Sequence, residues 1–388
     1  MSTSAQERPL SSRAGARDLY PTVEADFVFA ESDPFSLERG GQLQPVTLHY
    51  AIYGDLEKNR DRVVLVCHAL SGSARVADWW AELFSPDAPF DPEDFVFIGV
   101  NILGSCYGST GPTSLDPKSG KPFGASFPLV TIGDSVRAQA NLLNHLGVEK
   151  LYATIGGSIG GMQALEWAFR FPERVERSIA IGTAPLGAMG LALNHIQRQS
   201  IWNDAGFNNG VYESQPRGLG AARALAMLSY KSPQLFEERY GRNPNRNGED
   251  PFLSATGRFD VAGYLDHQEK IFVDRFDANS YITITKLMDT WDIPPAGAPE
   301  YRGVANAGVE IDLVGISSDW LFPAQDVRRM NDRFAREGVA SRYSELVTNH
   351  GHDGFLADAG QLFRLLKEAL ADGERIRAAA AKIPVAAD

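Results

Sequence analysis

Apolar residues fall along this chain in two rhythms, and the alternation between them predicts the architecture. Uninterrupted apolar runs of strand length occur at 62–70 (RVVLVCHAL) and 94–102 (DFVFIGVNI), as expected of central parallel strands covered on both faces. Before them, 26–30 and 46–54 alternate in the manner of half-buried strands. A helical pattern begins at Asp134, carries Val136, Ala140, Leu142, Leu143 and Leu146 on one side, and stops at Gly147. Residues 150–167 (KLYATIGGSIGGMQALEW) read as strand, sharp turn and helix, and 177–184 as another strand. Strands recur at 309–316 (VEIDLVGI) and 341–347, ahead of an amphipathic helix over 360–371 whose Ala-rich end is expected to fray. Strands and helices in this succession predict an α/β fold, a mostly parallel sheet with helices on both faces.

Two segments break the rhythm. Residues 1–20 are rich in Ser, Ala, Arg and Glu without apolar periodicity, which predicts a mobile tail. Between 185 and 297 helical patterns dominate, punctuated by turn clusters such as Gly241-Arg242-Asn243-Pro244-Asn245. The expected organisation is thus a tail (1–20), a first core part (21–184), a helical lid insertion (185–297) and a second core part (298–388).

The chemistry concentrates at strand ends. Ser158 stands at the apex of Gly156-Gly157-Ser158-Ile159-Gly160, between strand and helix. A side chain projecting from so tight a turn needs neighbours without Cβ atoms, and the helix beginning behind it offers backbone N–H groups to an oxyanion. A G-x-S-x-G string alone also fits a phosphate-cradling turn, but no Gly-Lys-Ser/Thr follows here. Asp319 lies in Ser317-Ser318-Asp319-Trp320, just beyond the 309–316 strand, and His350 and His352 lie in Asn349-His350-Gly351-His352-Asp353-Gly354 beyond the last strand. The order Ser158, Asp319, His352, each past the carboxyl end of a parallel strand, is the α/β-hydrolase arrangement. A serine hydroxyl needs a base to take its proton, and the base needs a carboxylate to fix its tautomer. Of the two histidines His352 is preferred, with His350 as the alternative; Asp312, inside its strand, is expected to point into the sheet. The oxyanion hole is expected from the N–H of Ile159 and one from Leu70 or Ser71, in the turn after 62–70. The Gly/Ser/Thr-rich stretch 103–112, which includes Cys106, is expected to line the same site.

Composition narrows the function classes. The chain has 388 residues, 44% hydrophobic and 22% charged, with a net charge of −12, which disfavours a general nucleic-acid binder. Its two cysteines imply no disulfide framework, and no metal-binding cluster stands out. No apolar stretch is long enough for a membrane span, and no signal-peptide pattern opens the chain, so a cytoplasmic location is expected.

With these motifs in place, the sequence resembles the homoserine O-acyltransferase family of α/β-hydrolase-fold enzymes, and within it the O-acetyltransferases of methionine biosynthesis. The resemblance rests on HALSGS, NILGSCYGSTGPTS, FPLVTIGDSV, GGSIGGMQALEW, RGLGAARALAMLSY, FVDRFDANSYITITKLMD, SSDWLFP and GHDGFL, and covers nearly everything beyond the tail. One departure is Leu70-Ser71-Gly72, where the family usually has Leu-Thr-Gly. The resemblance implies Ser158, Asp319 and His352 as catalytic residues, and Arg223, Asp353 and Tyr230 as substrate-binding residues. An arginine suits the α-carboxylate of homoserine and an aspartate its ammonium. It further implies acetyl-CoA as co-substrate, no bound cofactor, and a homodimer formed through the helical insertion. Succinyl-transferring relatives tend to carry an arginine two residues after the catalytic aspartate, where this chain has Leu321, so acetyl is the expected donor group; were succinyl the donor group, another cation such as Arg75 would serve. Fold and triad do not fix the acceptor, so a plain esterase on the same fold, or serine in place of homoserine, stays open at this point.

Overall fold

A computed structural model describes residues 19–380, with 372–380 by backbone alone. The expected tail over 1–20 therefore lies almost wholly outside the described residues. The chain enters through β1 (Val23–Phe29), a short hairpin of β2 (Phe35–Ser36) and β3 (Gln42–Leu43) that the sequence pattern does not reveal, and β4 (Val46–Tyr53). There follow β5 (Val63–Cys67), α1 (Val76–Trp79), β6 (Val96–Val100), α2 (Ile132–His145), β7 (Leu151–Gly157), α3 (Ile159–Arg170) and β8 (Val175–Ile181). Five helices come next: α4 (Ala188–Trp202), α5 (Arg217–Tyr230), α6 (Pro233–Arg239), α7 (Asp260–Val273) and α8 (Ala278–Thr290). The chain then runs through α9 (Pro299–Ala307), β9 (Glu310–Ile316), α10 (Ala324–Arg336), β10 (Ala340–Leu346), α11 (Gly354–Ala357) and α12 (Ala359–Ala380), the last continuing well past the 360–371 expected.

Eight strands form one sheet in the order β1-β4-β6-β5-β7-β8-β9-β10. From β6 to β10 neighbours are parallel, while β4 runs antiparallel to both β1 and β6. The apolar runs are continuous because both faces are covered. In β5, Val63, Leu65 and Cys67 join one core cluster, whereas Val64 and Val66 join the other. The first cluster takes in apolar side chains of α2, α3, α9 and α10, and the second those of α1, α11 and α12. The capping box at the start of α2, in which Thr131 accepts from the Asp134 N–H while Asp134 accepts from the Thr131 N–H, explains why the helix begins at that threonine.

Charge is buried at one place in the sheet. Arg177 on β8 contacts Glu310 and Asp312 on β9 at 2.5 and 2.7 Å, and Arg342 on β10 reaches the same two carboxylates at 2.8 and 2.9 Å. Arg177 also donates to the Ala369 carbonyl of α12, so the cluster lies on the α12 face. Asp312 is thereby occupied in a structural network, in keeping with its expected place inside the strand.

Between β8 and β9 no named strand occurs among the described residues; α4 packs on α5 and α8, and α5 on α7. The buried pair Arg198–Asp289 (2.5 Å) ties α4 to α8, and Asn194 donates to the same aspartate. Helix α5 also packs on the short turn Gly351–Asp353, which brings this helical segment over the carboxyl ends of the parallel strands. Among the described residues no helix is long and apolar enough to cross a membrane.

Candidate active site

Ser158 joins β7 to α3 with φ 60° and ψ −130°, a conformation that few residues with a side chain adopt. Two contacts show why its neighbours are glycines. A Cβ on Gly156 would sit 2.4 Å from the Gly160 carbonyl carbon, and one on Gly160 would sit 2.1 Å from the Cys67 carbonyl oxygen. The turn is thus compressed against itself and against the end of β5, and its serine is held by an N–H donated to the Ile181 carbonyl on β8. The same approach of Gly160 to Cys67 and His68 brings the start of α3, with Ile159, beside the turn that carries Leu70 and Ser71. Ile159 is the first residue of α3, where backbone N–H groups have no partner within the helix.

That turn is held from several sides. The buried His68 engages the Ala69 carbonyl through Nδ1 and accepts from the Ile102 N–H through Nε2; burial lowers its pKa to about 4, so it stays neutral. The Asn101 side chain accepts from the Ala74 N–H at 2.6 Å and donates to the Tyr107 carbonyl. Arg275, between α7 and α8, donates to both the Ser71 carbonyl (3.1 Å) and the Tyr107 hydroxyl (2.6 Å), linking the 103–112 stretch to the turn. Cys106 lies in the same region beside Asp277 and Arg275, and burial raises its thiol pKa to about 11, which makes it a poor nucleophile.

Beyond β9 and β10 the structure pairs Asp319 with His352. Imidazole Nδ1 lies 2.6 Å from Asp319 Oδ2, and both side chains are almost fully buried. Asp319 Oδ1 accepts from the N–H groups of Leu321 and Phe322, both at 2.9 Å, which fixes the carboxylate. With Nδ1 donating to Asp319, Nε2 is left as the basic nitrogen. Burial pushes the His352 pKa down, but the charge and hydrogen bond of Asp319 outweigh it, Asp353 adds to the rise and Lys231 opposes it, so the net shift is upward. His350, the alternative base, instead approaches Asp358 at 3.9 Å. The dyad and the serine meet at Gly182: it follows Ile181, the acceptor of the Ser158 N–H, and a Cβ there would lie 3.4 Å from Asp319 Oδ2 and 3.5 Å from His352 Nδ1.

The expected substrate residues extend outward from His352. The Tyr230 ring lies 5.7 Å from the imidazole, and the Arg223 guanidinium lies 5.6 Å from the Tyr230 ring and 4.8 Å from that of Phe272. Arg223 makes no ion pair among the described residues, and its buried Nε has no hydrogen-bond partner. A cation stacked between rings and short of an anion suits a planar carboxylate. Burial raises the Tyr230 pKa, so its hydroxyl remains protonated. Asp353 forms a 2.6 Å ion pair with Lys231, a residue that no sequence motif singled out. Its position after the last residue of α5 suggested only a cation at a helix C-terminus. Leu321 is buried in the larger core cluster, and Arg75 is engaged by Glu24 and Asp78. Among the described residues no cluster of His, Cys, Asp or Glu could hold a metal ion.

Comparison with known proteins bears on the family and the fold. A family model described as alpha/beta hydrolase fold matches residues 62–359. The homoserine O-acetyltransferase of Symbiobacterium thermophilum is 40% identical over 355 residues, spanning 88% of this chain and 92% of its own. That of Carboxydothermus hydrogenoformans is 37% identical over 350 residues, spanning 86% and 92%. Among solved structures, a homoserine O-acetyltransferase from Bacillus anthracis superposes with a TM-score of 0.81 at 24% identity, covering 89% of this chain and 96% of the other, a likeness of fold. Esterase E22 superposes with a TM-score of 0.80 at 25% identity, covering 89% and 99%.

Proposed function

The chain belongs to the homoserine O-acetyltransferases of the α/β-hydrolase fold, and on that premise we propose that it moves the acetyl group of acetyl-CoA to the hydroxyl of L-homoserine through an acyl-enzyme on Ser158. The observation that supports this reading is that the strained Ser158 and the buried Asp319–His352 pair both adjoin the Ile181–Gly182 end of β8, with Arg223 and Asp353 set out from the imidazole. Ser158 Oγ gives its proton to His352 Nε2 as it attacks the thioester carbonyl. The tetrahedral oxyanion is held by the Ile159 N–H and one from Leu70 or Ser71. Collapse breaks the carbon–sulfur bond, and the departing CoA sulfur takes the proton from His352. The homoserine hydroxyl then loses its proton to His352, attacks the acyl-enzyme, and a second collapse returns the proton to Ser158.

Arg223 holds the α-carboxylate and Asp353 the ammonium, with Tyr230 between them and the base. The α4–α8 segment acts as a lid that keeps water from the acyl-enzyme. Assembly as a homodimer through that segment is part of the same reading, and the exposed Met189, Leu191, Ile196 and Trp202 of α4 support it; sedimentation equilibrium measures it. The likeness to esterase E22 favours hydrolysis as the second reading. CoA release from acetyl-CoA with and without homoserine separates the two: equal rates mean a hydrolase. For the covalent route, mass spectrometry of protein mixed with acetyl-CoA should find an acetyl group on the Ser158 peptide and none in Ser158→Ala.

A further inference from the structure

Lys231 has no part in the mechanism above, yet its ammonium sits where the acceptor's ammonium is expected. Its Nζ lies 2.6 Å from Asp353 Oδ2, both side chains being partly exposed. Its backbone is pinned: the Lys231 carbonyl accepts from Trp320 Nε1 at 3.1 Å, and a Cβ on Gly351 would strike the Lys231 carbonyl carbon at 2.6 Å. The side chain therefore swings from a fixed base. Beside it is a recess lined by Phe236, Tyr240 and Tyr264, with Arg239 the other cation there. Aromatic faces can accept an ammonium that has left its carboxylate.

We propose that Lys231 is a stand-in for the substrate ammonium, occupying Asp353 until homoserine displaces it and so setting the affinity for the acceptor. This rests on the reading that Asp353 receives that ammonium. Two like charges on one carboxylate repel, so the incoming amino acid binds Asp353 at the expense of the lysine. A pair this exposed contributes modestly, and removing the competitor should raise acceptor affinity about two- to fivefold. The exchange also preserves a charge near the base. The charged and titratable groups facing His352 are Asp319, Asp353, Lys231 and the Tyr230 phenol. Lys231 offsets the Asp353 charge while no substrate is present, and the substrate ammonium does so afterwards.

Three variants test this. In Lys231→Met, kcat/KM for homoserine should rise about two- to fivefold, on the scale set by a partly exposed ion pair. The acidic limb of first-turnover CoA release from acetyl-CoA, measured without homoserine, should move to higher pH, because the unbalanced Asp353 charge favours the imidazolium. Lys231→Arg keeps the charge and should restore the wild-type limb. An unmoved limb overturns the charge balance at the base; the displacement itself is read from kcat/KM for homoserine, which a purely structural ion pair would not raise. In Asp353→Asn, kcat/KM for homoserine should fall while first-turnover CoA release persists. An unaffected Asp353→Asn overturns the ammonium assignment itself. An impaired Asp353→Asn beside a Lys231→Met with unchanged or lower kcat/KM for homoserine overturns the stand-in alone.

Discussion

Replacing Asp319 with asparagine isolates one proton position. Asp319 Oδ1 accepts two backbone N–H groups, from Leu321 and Phe322, and Oδ2 accepts from His352 Nδ1. An asparagine can keep its carbonyl oxygen on the two N–H groups and must then present an NH₂ group to Nδ1. That forces Nδ1 to accept, puts the ring proton on Nε2, and removes the base from Ser158. The turnover lost should approach 10⁴-fold, roughly 5 kcal/mol at 1.36 kcal/mol per decade. Stability should change less, because three charge-assisted hydrogen bonds become neutral ones while no buried N–H loses its partner. Asp319→Ala, by contrast, strands two buried N–H groups at roughly 1–3 kcal/mol each. Stopped-flow CoA release and thermal unfolding of both variants give the comparison. If Asp319→Asn kept more than about one hundredth of wild-type turnover, against the loss of about four decades expected, or if it unfolded as readily as Asp319→Ala, the tautomer argument would be wrong. In the wild-type protein the acidic limb of kcat/KM should lie above 6.5, because Asp319 outweighs burial in raising the His352 pKa. In Asp319→Asn that limb should move down.

Arg223→Met should lower kcat/KM for homoserine by on the order of 10²-fold, as expected for losing charged hydrogen bonds, while first-turnover CoA release is spared; equal losses in both steps would remove Arg223 from carboxylate binding. Leu321→Arg should shift donor preference from acetyl-CoA toward succinyl-CoA and lower the melting temperature, since a cation buried without its anion costs several kcal/mol. An unchanged donor ratio would leave Leu321 a core residue, and a wild-type preference for succinyl-CoA would overturn the donor assignment. Gly160→Ala drives a Cβ to 2.1 Å from the Cys67 carbonyl oxygen. It should destabilise by about 1–3 kcal/mol and depress kcat by disturbing the oxyanion N–H groups; wild-type turnover would refute the close-approach argument.

The parallel strands were legible because residues covered on both faces leave an unbroken apolar run, as β5 and β6 do. The serine turn was legible because compression admits only glycine at Gly156 and Gly160. For His352 over His350 the sequence offers only the helix start suggested by Asp353-Gly354-Phe355; which partner the turn presents each to, Asp319 or Asp358, was not legible in residues two apart in one loop. Lys231 and Arg275 escaped for a related reason. Each meets its partner, Asp353 or the Ser71 carbonyl, across a long sequence separation and from a helix end, where a surface cation is the ordinary expectation. The β2–β3 hairpin escaped because two-residue strands carry no period.

The charge cluster of Arg177, Glu310, Asp312 and Arg342 works as an alignment key for β8, β9 and β10. Sliding one of these strands by a single residue would turn every side chain to the opposite face. Apolar neighbours on both faces would penalise that slip only weakly, because either face accepts valine or leucine. The ionised groups penalise it heavily, since a buried charge parted from its partner costs about 3–5 kcal/mol. Asp319 and His352 leave the ends of β9 and β10, so their 2.6 Å contact inherits its accuracy from that key. Neutralising Arg177 would therefore act as a loss of calibration, felt as misaligned proton transfer in molecules that are otherwise folded.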